Sequence, residues 1–168
     1  MPSGDSLPAM SDWKPALDAI VGSRHGGKTD HVLAALRELD ARHPNVPEIA
    51  AEQAFTFSSQ GAHTEALSAY ERALALGIAS PAEQANTLAG RAVCLLRLDR
   101  DAEAVSALEY ARVQFPDHAE FAALLAIARL RAGLKDEAFA LLLDTLLETS
   151  GDIGLAAHQR TLRALVRR

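Results

Sequence analysis

Turn-forming residues recur along this 168-residue chain at one nearly fixed distance, and that spacing restricts the fold more than any single motif does. Gly27 and Gly61 lie 34 residues apart, as do Asp99 and Gly133, while Gly61 and Asp99 are separated by 38. The four extra residues fall within GIASP, Gly77–Pro81, a loop composition that tolerates insertion. After each turn the same apolar pattern follows: Val32, Leu36, Leu39; Ala66, Tyr70, Ala73; Ala104, Leu108, Ala111; and Ala138, Leu142, Thr145. Spacing of i, i+4, i+7 places each trio on one helix face. A helix with such a stripe cannot bury it alone, so the repeats must stack.

Composition agrees with helices throughout. The chain is 49% hydrophobic but only 5% aromatic, so its apolar content is mostly Ala and Leu, strong helix formers, with few of the residues that strands favour. The formal net charge is −5, unevenly placed: residues 151–168 carry four arginines against Asp152. The remaining acidic body repels a phosphate backbone, which argues against nucleic acid as a partner. Cys94 is the only cysteine, so an intrachain disulfide and a cysteine metal site are both excluded, and a small buried apolar role is expected for it. MPSGDSLPAM has neither the basic start nor the apolar run of a secretory signal, and no apolar run is long enough to span a bilayer. A cytoplasmic protein without membrane association is the expectation.

Three segments carry a specific resemblance. GAHTEALSAYERALALG, DRDAEAVSALEYARVQFP and GLKDEAFALLLDTLLE each resemble the second helix of a tetratricopeptide repeat. Pro44 and Pro116 stand where that repeat ends its second helix, and Ala54, Ala92 and Ala126 stand where its first helix needs close contact. The resemblance covers about residues 12–148 and points to the short bacterial members that consist of little besides repeats. It implies an all-α, right-handed superhelical stack of about four helix-turn-helix hairpins, with repeats at about 12–45, 47–80, 84–117 and 119–150. Residues 1–11 are expected to be a flexible segment. Within 151–168 a basic closing helix would lay Leu155, Leu162 and Val166 over the last repeat, as solenoid ends require. The first repeat departs from the pattern through Pro15 and Ser23 and reads as a degenerate cap.

The resemblance also implies a function: a non-catalytic scaffold that binds a protein or peptide in a groove lined by the first helices. Carried over position by position, the groove would be floored by Leu17, Val21, Phe55, Val93, Leu96, Ile127 and Leu130. Family members that clamp a C-terminal carboxylate use Lys, Asn and Arg there. Val21, Phe55 and Val93 supply no such donors, so an apolar helix face or hydrophobic peptide is the expected ligand. Arg91 and Arg129 stand where the family prefers large apolar residues. Their long stems could pass a small core to water, pair with an acid, or make polar contacts with a partner. Self-association as a homodimer, a groove filled by the chain's own Leu7 and Trp13, and a subunit held permanently in an assembly are the other readings of the same surface.

One motif competes. GSRHGGKT, Gly22–Thr29, fits the phosphate-loop pattern G-x-x-x-x-G-K-[ST], in which main-chain N–H groups and Lys28 would hold a nucleotide triphosphate. Such a loop needs a strand before it and a parallel sheet around it, and the sequence offers neither. Gly27 is already explained as a repeat turn. His25 and His31 lack a third ligand at metal spacing, and no catalytic triad or carboxylate pair stands out, so neither catalysis nor a cofactor or metal is expected. Glu103 and Glu137 sit where first-turn acids favour the positive helix end.

Overall fold

The computed structural model describes residues 13–24 and 29–166; the expected N-terminal segment 1–11 lies outside them, as do Gly27 and the last two arginines. All regular structure among the described residues is helical. It falls into two compact units, one ending at Ser80 and one beginning at Pro81. The first contains α1 (Trp13–Gly22), α2 (Thr29–Arg42), α3 (Pro47–Ser59) and α4 (His63–Leu76). The second contains α5 (Pro81–Arg97), α6 (Asp101–Gln114), α7 (Ala119–Arg131), α8 (Lys135–Thr149) and α9 (Ile153–Val166).

Three helix hairpins turn by the same device. At the end of α3, Gly61 adopts φ +77° while the Ala62 N–H donates to Phe57 O and the Gly61 N–H to Ser58 O. At the end of α5 the equivalents are Asp99 at φ 57°, Arg100 N–H to Leu95 O and Asp99 N–H to Leu96 O. At the end of α7 they are Gly133 at φ +85°, Leu134 N–H to Arg129 O and Gly133 N–H to Leu130 O. This pair of bonds satisfies carbonyls that a helix end otherwise leaves open, and it requires one left-handed residue. Three of the recurring turn residues of the sequence, Gly61, Asp99 and Gly133, are those residues; Gly27 lies outside the described ones.

In the first unit, Leu17, Val32, Leu36, Leu39 and Ile49 form one core, joined at its margin by Trp13, Ala16, Ile20, Val21 and Val46. A second cluster gathers Ala50, Ala73 and Ile78. Pro47 opens α3 at a position where the missing N–H costs nothing. Across the outside, Arg72 of α4 grips both carboxylate oxygens of Asp40 on α2 at 2.7 and 2.8 Å and also donates to Pro44 O. That fork raises the Arg72 pKa further.

In the second unit, α5 buries Ala85, Leu88, Ala92, Cys94, Leu95 and Leu96, and α7 buries Phe121, Ala122, Leu125, Ala126 and Ala128. Arg131 of α7 reaches back to Asp99 Oδ1 at 2.5 Å and Asp101 Oδ1 at 2.8 Å. The Asp152 carboxylate accepts the Leu155 N–H at 2.8 Å at the start of α9, an N-terminal cap.

The apolar trios after the first three turns are buried as their spacing requires: none of their members is more than 5% exposed. The fourth is not. Ala138 is buried, but Leu142 is 51% exposed and Thr145 only half-buried. The closing helix packs on α8 with Leu155, Leu162 and Val166 half-buried and no residue fully buried among those described, and it does not seal Leu142. The reason is its anchoring. Arg163 ties α9 to Asp144 at 2.8 Å and Glu148 at 3.3 Å, one turn apart on α8, and the Leu142 face is left open.

Two outcomes follow from this packing. A Cβ at Gly133 would meet nothing within 4 Å, so Gly133→Ala should lower stability by about 1 kcal/mol through backbone conformation alone. Asp99→Asn, which tolerates the left-handed region and loses only an exposed pair, should change it by less than about 0.5 kcal/mol. Urea midpoints at unchanged slope would measure both. Leu108→Ala should cost about 2–5 kcal/mol, whereas Leu142→Ala, at the same repeat position, should cost under about 1 kcal/mol. Equal losses in the two variants would mean that Leu142 is covered in solution.

Candidate partner-binding surface

Each unit carries its own first-helix face, and the two faces are built differently. In the first unit, Phe55 projects from α3 and is 51% exposed. Just beyond α1, the Arg24 guanidinium lies 4.8 Å from the Phe55 ring centroid, a cation–π contact. Arg24 Nη2 also donates to Glu52 Oε2 at 2.6 Å and to the buried Thr56 hydroxyl at 3.2 Å. Thr56 in turn donates to Glu52 O at 2.8 Å. The ring is thus held on one side by a paired cation and left open on the other. Of the other residues expected here, Leu17 is core and only 4% exposed, and Val21 packs half-buried against that core. Neither is as open as Phe55.

In the second unit, Ile127 and Leu130 project from α7 at 50% and 55% exposure, three residues apart and so on one face. Val93 on α5 is half-buried, and Leu96 is buried among the helices. Of the residues expected to floor the groove, the open ones are therefore Phe55 in one unit and Ile127 with Leu130 in the other.

The two arginines at unusual first-helix positions engage acids of their own unit. Arg129 Nη2 donates to Glu109 Oε1 at 2.9 Å, linking α7 to α6. Arg91 is half-buried, and its charge reaches α6. There the Arg100 fork, with two bonds of 2.7 Å, holds the Glu103 carboxyl below its ordinary range, and Arg91 adds a smaller pull the same way. Glu109, which accepts Arg129, carried no signal in the sequence beyond ordinary helix-surface charge.

The phosphate-loop string occupies helical surroundings. Gly22 closes α1 where such a loop needs a strand, and Thr29 opens α2. The Thr29 hydroxyl and the Asp30 carboxylate both accept from Gln60 Nε2 at 3.0 Å. His25, Gly26, Gly27 and Lys28 lie outside the described residues. His31 is exposed. Among the described residues no group of three or more His, Cys, Asp or Glu is placed to hold a metal, and no helix is long and apolar enough to cross a membrane.

Stacked helix hairpins turned by a left-handed residue define an all-α repeat architecture, and solved structures give that architecture its name. MamA 41-end from Desulfovibrio magneticus RS-1 aligns with 95% of this chain and 92% of its own, at TM-score 0.74 and 16% identity. A further MamA crystal structure aligns with 88% of this chain and 87% of its own, at TM-score 0.69 and 20% identity. Yeast Tom70 aligns with 94% of this chain but only 33% of its own, at TM-score 0.71 and 20% identity. No protein-family model and no curated protein matches the sequence. The fold is that of the tetratricopeptide repeat.

Proposed function

We propose that this chain is a non-catalytic interaction scaffold that binds a protein or peptide through the apolar residues of its first helices, and that it works in the cytoplasm as a homodimer. One observation carries the binding reading. The same first-helix position holds a large apolar side chain in both units, Phe55 and Ile127, and each is about half open to solvent. The helices bearing them already bury their opposite faces, so these side chains are surplus to the core. An apolar helix face or a hydrophobic peptide is the ligand chemistry they suit. Leu130 widens the surface in the second unit. Leu17 and Leu96 would support the binding face from beneath, and Val21 and Val93 would edge it. The chain's net charge of −5, with its basic residues drawn toward the carboxyl end, disfavours nucleic acid as the ligand.

The test is affinity capture from the native cell extract with three baits: the unaltered chain, Phe55→Glu and Ile127→Glu. Circular dichroism would first establish that each variant keeps its helicity. A fully buried anchor of this size contributes about 1.5–3 kcal/mol, so each substitution should weaken a partner that uses its face roughly 10–100-fold. The partner recovered would then be titrated against the purified chain. Recovery of the same partner at the same affinity by all three baits would place binding elsewhere and reject this surface.

A further inference from the structure

At the carboxyl end of the second unit, α8 leaves a continuous apolar stripe open. Phe139, Leu142 and Leu146 are 60%, 51% and 49% exposed, and their spacing of i, i+3, i+7 puts them on one face. Leu142 stands where Leu36, Tyr70 and Leu108 stand in α2, α4 and α6, and those three side chains are sealed. The stripe therefore has the form of a helix-packing surface, and what it lacks is an apolar helix face. Lys135 extends the same stripe by one turn toward the start of α8 and makes no ion pair with the described residues. Its position is unfavourable within its own helix, because a cation there faces the positive end of the helix dipole.

The geometry points to a second copy of this chain as the occupant, with the two α8 helices packed antiparallel about a two-fold axis beside Leu142. This rests on the reading of the chain as a homodimer and names the surface that forms it. A stripe of three residues spaced in this way is self-complementary when reversed. Phe139 meets the partner's Leu146, Leu142 meets the partner's Leu142, and the contact closes at two copies. The reversal also resolves the misplaced charge. Lys135 comes to the carboxyl end of the partner's α8, where open main-chain carbonyls and the negative dipole end favour a cation. Three half-exposed side chains fall short of the roughly 800 Å² per partner of a standard interface, so the dimer is weak and exchanges at micromolar concentration.

Sedimentation velocity of the full chain from low to high micromolar concentration tests this, with Leu142→Glu as the disrupting variant. Val113→Glu, which puts the same charge on another exposed apolar position of the second unit, is the control. The expected result is a reversible dimer in the unaltered chain and in Val113→Glu, weakened at least about tenfold in Leu142→Glu at unchanged helicity. Leu142→Cys supplies an independent reading, because Cys94 is buried and does not compete. Mild oxidation should then give a disulfide-linked dimer, since the axis brings the two introduced thiols together. A chain that stays monomeric throughout overturns the homodimer reading itself. A dimer equally strong in Leu142→Glu, or no disulfide from Leu142→Cys, leaves self-association standing and overturns this surface. Growth beyond two copies overturns the two-fold arrangement.

Discussion

The helices of this chain run from 10 to 17 residues, at or near the length below which an isolated helix is marginal in water. Their stability must come from what each helix lends its neighbour, and the apolar trios are the currency of that exchange. Where two neighbours are available, as for Leu36 or Leu108, the side chain is sealed. At the last hairpin α9 is tied to another face of α8, and the open stripe is the result. The same dependence explains the many alanines. Ala54, Ala92 and Ala126 are buried at the close helix contacts, where a longer side chain would hold the backbones apart.

Charge supplements this packing at a longer reach. Arg72 with Asp40 and Arg131 with Asp99 both join residues 32 apart, nearly one repeat, so each pair ties one hairpin to the next. Arg24 with Glu52 does the same between the end of α1 and α3. These groups are partly exposed, so their contribution is smaller than the burial beneath them. Their geometric effect is more specific: a forked guanidinium fixes the angle at which one helix end meets another.

Much of the fold was legible because its two signals are local. A left-handed residue must be Gly or a tolerant Asp, and Gly61, Asp99 and Gly133 announce themselves at their spacing. The trios need only helical periodicity. The binding surface was less legible, for a physical reason. Leu17 and Leu96 share a helix face with the residues expected to line the groove, yet they are buried while Phe55 and Ile127 stand open. Periodicity identifies a face but not how far the neighbouring helix overhangs it. Leu142 shows the same limit, since its register is that of a core residue and its exposure depends on where Arg163 anchors α9. Arg129 is a third case: its partner Glu109 lies 20 residues away on another helix, and no spacing rule joins them.

Cys94 sits in the last turn of α5 with no exposed surface, and it is the only thiol in the chain. A thiol reagent can reach it only when α5 parts from its neighbours. Under conditions where reclosing outpaces labelling, the modification rate divided by that of a free thiol gives the equilibrium constant for this parting directly. The unaltered protein thus carries a native reporter for sub-global opening of its second unit. With it, the energetic coupling between a ligand on Ile127 and the helices behind it becomes measurable without any introduced label.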